Sequence, residues 1–257
     1  MRRTNLVVIT IILFIICGVT GCATNRLKEE RANSHLDVGI AYIKARQYTT
    51  ALRELLEAKK LSPRNPDIHY YLGISYHGKG LVNESIGEFE EAVNLKPDYS
   101  EAHNWLGRIY FGMGLWDKAI KEFNKALDNV LYATPASALY NMGRAYYQKG
   151  NYRMALAKYN EAMIKGPNII PLPLIEKDMG VASFELGEID SAIGHFKKAL
   201  KLVPTFVESH YWLGQCYVKQ GNVQGATEEF RAVIRMSPES KFGEEAKESL
   251  KAIETQQ

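Results

Sequence analysis

Four of the six histidines in this chain, His35, His69, His103 and His210, occupy the same place in a pattern that recurs along the sequence. Imidazole is a common zinc ligand, so equivalent histidines raise the question of a shared metal. Distance argues against it. Histidines on successive equivalent helices stand at least about 8 to 10 Å apart, whereas each ligating nitrogen must come within about 2.0 to 2.1 Å of a zinc ion. They are expected instead to pack between the two helices of their own hairpin. The sequence has no Gly-rich phosphate loop, no His-Glu-x-x-His and no Cys-x-x-Cys, and the repeat leaves no segment for a catalytic domain. No enzymatic activity, cofactor or metal is expected. Acidic runs such as Glu88, Glu90 and Glu91 read as solvated helix faces.

The three cysteines differ in setting. Arg2 and Arg3 precede an apolar stretch from Leu6 to Ile16, the layout of a targeting leader and too short for a permanent span of about 20 residues. Val19-Thr20-Gly21-Cys22 then resembles a bacterial lipobox, which implies removal of residues 1–21 and acylation of the Cys22 thiol. Ala23 is not the Asp that resembles an inner-membrane retention signal, so the outer membrane, facing the periplasm, is the expected location. Residues 22–31 are expected as a lipidated tether. Cys17 would leave with the leader and Cys22 would carry lipid, so no intramolecular disulfide is expected. Cys216 follows Trp212, Leu213 and Gly214 on an apolar helical face and reads as a buried, inert thiol. Without Arg2 and Arg3 the 32 basic residues fall almost to the 29 acidic ones, which argues against a nucleic-acid partner.

The elements that position these residues are repeats. Gly39, Gly73, Gly107, Gly143, Gly180 and Gly214 recur at steps of 34, 34, 36, 37 and 34. Tyr follows three later in five of six cases, a small residue (Ala51, Ser85, Ala119, Ala155, Ala192, Ala226) twelve later, and a large one (Leu55, Phe89, Phe123, Tyr159, Phe196, Phe230) sixteen later. Gly80, Gly114, Gly150, Gly187 and Gly221 fall at helix C-caps, and Pro63, Pro97, Pro167, Pro204 and Pro238 stop the second helices. This pattern resembles the tetratricopeptide repeat. The resemblance implies an all-α fold, a right-handed superhelical solenoid of six helix hairpins at 32–65, 66–99, 100–133, 136–169, 173–206 and 207–240. Each glycine is expected to meet the small residue of the second helix, with the aromatics in the wider space. Residues 241–257 form a capping helix and tail, with Phe242, Ala246, Leu250 and Ile253 on one face. Two junctions depart from the pattern: Leu131 stands where a proline is expected, with Thr134 and Pro135 lengthening the exit, and Pro167, Pro171 and Pro173 bracket an insertion with Ile169, Ile170 and Leu172. Both read as bends.

In the repeat family the concave groove is lined by first-helix residues pointing away from the hairpin core. At the shared register these are Tyr70, Ile74 and His77, then Asn104, Arg108 and Phe111, then Tyr140, Arg144 and Tyr147. Aromatics with Arg favour a protein partner, and two Arg one repeat apart suit carboxylates or an extended backbone. Some of these Tyr would simply pad the wall. Leu36, Ile40 and Ile43 make the first hairpin apolar enough for an amphipathic helix.

A lipobox followed by six repeats is similar to the type IV pilus biogenesis lipoproteins of the PilF/PilW, or pilotin, type. The junction Ala126-Leu127-Asp128-Asn129-Val130-Leu131-Tyr132, followed by Pro135 and Asn141-Met142-Gly143, is similar to that family's elongated junction. The resemblance implies binding of a secretin subunit and help with its assembly in the outer membrane. Two other roles stay open on the residues alone: a periplasmic scaffold for peptidoglycan hydrolases or other envelope enzymes, and an accessory of polysaccharide export.

Overall fold

The structure, a computed structural model, describes residues 26–255. The leader, the tetrapeptide ending at Cys22 and the last two residues lie outside them. Among the described residues there are thirteen helices and no strand. They are α1 (26–44), α2 (Tyr48–Leu61), α3 (Pro66–Gly78), α4 (Val82–Leu95), α5 (Ser100–Gly112), α6 (Trp116–Asp128), α7 (Pro135–Gln148), α8 (Tyr152–Lys165), α9 (Leu172–Glu185), α10 (Ile189–Leu202), α11 (Val207–Gln220), α12 (Val223–Met236) and α13 (Lys241–Glu254). The expected tether is helical from residue 26 onward. A helical residue rises about 1.5 Å against about 3.3 Å when extended, so residues 26–31 span less than an open chain would.

The chain divides into two compact units, Met1–Ile109 and Tyr110–Gln257, with the boundary inside α5. In the first, Ala32 and Leu36 of α1, Ala51, Leu55 and Ala58 of α2, and Ile68 and Leu72 of α3 form one buried cluster. Leu36 is therefore core rather than partner surface, and Ile40 and Ile43 lean on the same cluster. In the second unit each helix from α6 to α13 packs on the next. Tyr110 and Phe111, ending α5, lean on a core of Phe123, Met142 and Ala145. Phe242, Leu250 and Ile253 of α13 cover Phe230 and Val233 at the end of the stack. Both departing junctions lie within this unit.

The glycine pattern has the expected physical basis and a second one beside it. A Cβ at Gly143 would stand 2.6 Å from Tyr159, at Gly180 2.6 Å from Phe196, and at Gly39 2.7 Å from Leu55. The ring or branched chain sixteen residues on lies directly against the glycine, and at Gly143 the small residue meets it as well, the Ala155 carbonyl oxygen standing 3.2 Å from the added Cβ. In the second hairpin the small residue also bonds the glycine's backbone: Ser85 Oγ donates to the Gly73 carbonyl at 2.8 Å. At the first-helix C-caps Gly221 adopts φ 72°, and in the first hairpin Arg46 holds the equivalent place at φ 58°.

The histidines join the two helices of their hairpins, as expected, through carboxylates the sequence pattern did not reveal. Nδ1 of His35 lies 2.8 Å from Glu54, that of His69 2.7 Å from Glu88 and that of His210 2.5 Å from Glu229. In the fifth hairpin the pair is exchanged, with Glu176 on α9 and His195 on α10 at 2.7 Å. Each pair spans nineteen residues. Nε2 of His69 donates to the Pro63 carbonyl and that of His210 to the Pro204 carbonyl, both at 2.9 Å, and that of His103 to the Pro97 carbonyl at 3.0 Å. At His69 and His210 both ring nitrogens face acceptors, the arrangement of an imidazolium beside an ionised carboxylate.

Candidate functional site

A cleft lies wholly within the second unit. It encloses about 440 Å³ between the first helices of three successive hairpins, within the usual range for ligand sites. α7 supplies Tyr140, Arg144 and Tyr147, one helical turn apart on one face. α9 contributes Leu174, Lys177, Asp178 and Val181, α11 contributes Trp212, and Tyr159 of α8 forms part of the wall.

Tyr140 is only 7% exposed, and its hydroxyl donates to Asp178 Oδ2 at 2.5 Å. Its ring lies 5.6 Å from that of Tyr159. Burial and the Asp178 carboxylate hold the Tyr140 hydroxyl protonated far above the ordinary tyrosine value. Tyr140 is thus a wall residue held by its own hydrogen bond rather than a projecting anchor. Asp178 also pairs with Lys177 at 2.6 Å, and Lys177 reaches Glu208 of α11 at 3.1 Å, tying α9 to α11. Burial works against the Lys177 charge, but Asp178 and Glu208 outweigh it and raise its pKa.

Arg144 is different. Its guanidinium lies 4.8 Å from the Phe111 ring centroid and 6.0 Å from that of Tyr140, and it forms no ion pair among the described residues. Stacking on an aromatic face leaves the planar donors available to a carboxylate or backbone carbonyl. Tyr147 is half-buried beside it, its ring 5.3 Å from Tyr152. Burial, and then the Glu185 carboxylate, pushes its hydroxyl up to about 12. Trp212 presents its indole to the cleft and packs edge-on against Phe184.

The structure therefore brings Tyr140, Arg144 and Tyr147 to one cleft, with Phe111 beneath the guanidinium. The other five groove residues belong to the first unit. Tyr70 packs against Phe89 and Tyr99, with centroids 5.8 and 5.0 Å away, and pads the wall. Ile74 is half-buried. Arg108 lies over Trp105 at 4.2 Å, and His77 meets the same indole edge-on at 5.2 Å. Burial, then the Arg108 charge, lowers the His77 pKa. Asn104 is 9% exposed and its Oδ1 accepts no hydrogen bond from the protein, a buried acceptor with unused capacity.

Lys177, Asp178, Val181, Trp105 and Trp212 escaped the sequence reading. Lys177 and Val181 stand at the same offsets from Gly180 as Tyr140 and Arg144 do from Gly143, so carrying the register one hairpin further would have found them. Asp178, Trp105 and Trp212 share the place two residues before their glycines, which that register leaves out.

Family models described as tetratricopeptide repeats match residues 98–163 and 207–240, and one described as the TPR repeat matches 39–80 and 180–221. The CTR9 homolog of Arabidopsis thaliana is 29% identical over 107 residues, 41% of this chain and 10% of that protein. The chain spans about a tenth of the length of the curated relatives it matches. Among solved structures, PilF of Pseudomonas aeruginosa aligns with a TM-score of 0.74 at 15% identity, covering 86% of this chain and 99% of that one. PilW, described as a widely conserved type IV pilus biogenesis factor, aligns at 0.72 and 22% identity, covering 83% and 97%. With its helix pairs, glycine contacts and repeat matches from residue 39 to 240, the chain belongs to the tetratricopeptide-repeat proteins.

Proposed function

We propose that this protein is a lipid-anchored adaptor of the outer membrane, facing the periplasm, that binds a secretin subunit and assists its assembly for type IV pilus biogenesis. It acts by binding, not by catalysis. The observation that carries the reading is the Arg144 guanidinium, stacked on Phe111 at the mouth of a cleft walled by Tyr147 and Trp212. A segment of the partner would place a carboxylate or backbone carbonyls on Arg144 and an apolar side chain against those two rings, the residue types that dominate interface energetics. The Tyr140–Asp178–Lys177–Glu208 chain of contacts holds the walls before the partner arrives and so lowers the ordering cost of binding.

Three further features support this role. The fold likeness to PilF and PilW runs along more than four fifths of this chain and nearly the whole of theirs. Val19-Thr20-Gly21-Cys22 follows an apolar leader. The α6–α7 junction is lengthened. No helix among the described residues is long and apolar enough to cross a membrane, so in this reading attachment rests on acylated Cys22. More than one acyl chain is required, since a single chain binds only marginally.

Arg144→Ala combined with Tyr147→Ala tests the cleft. Each hot spot is worth at least about 2 kcal/mol, or some thirtyfold in affinity. The double variant should remain folded and lipidated yet lose secretin multimers and surface pili. Normal multimers in that strain would exclude this cleft. Normal multimers in a clean deletion would remove the secretin role and favour a scaffold for envelope enzymes. Wild-type protein that incorporates no labelled fatty acid would remove the anchor.

A further inference from the structure

The second unit carries an apolar edge that neither its core nor its cleft uses. At the lengthened α6–α7 junction Val130 is 94% exposed and Leu131 86% exposed, adjacent in sequence and outside every buried cluster. At the α8–α9 junction Ile164 is 79% exposed, and Ile169 and Leu172 are also open to solvent. At the α10–α11 junction Leu202 and Val203 are exposed.

These junctions lie along one edge. The helices from α6 to α11 have thirteen or fourteen residues each, and each packs on its successor. Turning back at every connection puts alternate connections on opposite edges of the stack. The α6–α7, α8–α9 and α10–α11 junctions share one edge, together with the α12–α13 junction, where exposed Glu239 stands beside exposed Lys241, and the tight turns at Gly150 and Gly187 share the other.

Charge selects the occupant. The three connecting segments, 129–134, 166–171 and 203–206, contain no Asp or Glu. Exposed Lys165 and Lys201, in the last turns of α8 and α10, stand beside the apolar residues of the second and third segments; exposed Asp128 borders the first, and Glu208, two residues past the third, is held by Lys177 at 3.1 Å. Branched apolar side chains at loop tips with lysines beside them suit a membrane interface, where the apolar tips enter the acyl boundary and the ammonium groups meet anionic headgroups. We propose that this edge of the second unit rests on an anionic lipid surface, with Val130 and Leu131 as its inserted tip. A surface contact here orients the repeats relative to the membrane, which an acyl chain on a short linker does not do by itself. The proposal is independent of what occupies the cleft.

The full chain bound to vesicles tests it. Leu131→Trp and Glu188→Trp place an added indole on the two opposite edges, with the three native tryptophans as a common background. On phosphatidylglycerol vesicles containing brominated acyl chains, Leu131→Trp should lose its added fluorescence while Glu188→Trp keeps it. Equal quenching at the two positions, or none at Leu131→Trp, overturns the proposal. Joint Val130→Glu and Leu131→Glu should abolish any quenching of a Phe206→Trp reporter in the same edge and weaken vesicle partition by at least about tenfold, with phosphatidylcholine vesicles binding more weakly than phosphatidylglycerol throughout. Unchanged partition and reporter quenching in that variant, with its helical circular dichroism intact, would also overturn it. So would a Leu131→Trp emission that changes with a soluble secretin fragment and not with vesicles, which would make the edge a protein surface.

Discussion

Gly143 and Gly194 are both helical glycines of the second unit, and the same substitution should stabilise the chain at Gly194 but not at Gly143. A Cβ at Gly143 would stand 2.6 Å from Tyr159 Cδ1 and Cε1 and 3.2 Å from the Ala155 carbonyl oxygen. Comfortable contact between carbons is about 3.5 to 4.0 Å, so the ring must retreat by about 1 Å. Tyr159 is buried among Tyr140, Ala162 and Met179 and has little space to do so. At Gly194, in the middle of α10, a Cβ meets nothing within 4 Å. Alanine gains about 1 kcal/mol of helix propensity at either position, but only at Gly143 does it overpack, at a cost of about 1 to 3 kcal/mol. Propensity cancels in the comparison of the two variants, leaving the overpacking. In a chain of this size 1 kcal/mol moves the melting midpoint by about 2 to 4 °C. Gly194→Ala should therefore melt above wild type, and Gly143→Ala about 2 to 12 °C below Gly194→Ala, by far-ultraviolet circular dichroism of the purified chain. Gly143→Ala melting at or above Gly194→Ala would refute the claim that the ring needs the missing side chain.

The His69–Glu88 pair should make stability depend on pH in both directions. At His69 burial disfavours the charge, but bonds to Glu88 and the Pro63 carbonyl outweigh it and raise the pKa. At Glu88 burial is likewise outweighed, by His69 and Lys59, and the pKa is lowered. The histidine's contribution is full below about pH 6.5 and lost as pH rises through its folded value, while the glutamate's is present above about pH 4.5 and lost as pH falls through its folded value. The unfolding free energy should peak between those limits, and Glu88→Gln should lower the peak by about 1.5 to 3 kcal/mol and flatten the profile, as read by urea unfolding across pH; an unchanged profile in Glu88→Gln would count against the pair. Arg46→Gly should stabilise the first hairpin by about 1 kcal/mol, because a side chain at φ 58° carries a left-handed penalty that glycine lacks, and a lower urea midpoint would contradict it. The Cys216 thiol, fully buried and pushed up to about 12 by that burial, should resist alkylation at pH 8 in native protein and react on unfolding, as read by peptide mass mapping.

Much of the fold was legible because the repeat residues are constraints on backbone and volume. Gly80, Gly114, Gly150, Gly187 and Gly221, read as helix C-caps, are all left-handed where their first helices end. Such requirements act within a few residues, so one sequence displays them. The partners of the glycines were less legible: small and large residues follow each glycine at fixed spacings, and only geometry shows how closely each approaches it. The cleft was half legible. Its α7 side follows the groove register, but Lys177, Asp178 and Trp212 lie beyond the proline-rich 166–171 junction, where a reading that stopped at the fourth hairpin could not find them.

The histidine pairs show why identity at a single position is a poor guide to chemistry in a hairpin. Glu176 stands where the first, second, third and sixth hairpins have histidine, and taken alone it is a carboxylate 5% exposed on an apolar helix. An unpaired charge there would cost about 3 to 5 kcal/mol. The residue nineteen positions on resolves it, since His195 replaces the usual Glu and restores the bond at 2.7 Å, with Lys198 a further 3.8 Å contact. The two helices of a hairpin face each other across the same gap, so exchanging donor and acceptor preserves the link while changing either residue alone breaks it. In the fourth hairpin, Leu139 and Lys158 hold these positions and both ionic partners are absent together. Leu139 is buried, and Lys158 turns along its own helix to Glu161 at 2.6 Å. The unit that packing constrains is therefore the cross-helix pair, which tolerates His–Glu, Glu–His or an apolar residue beside an outward lysine, and excludes a buried carboxylate left by itself.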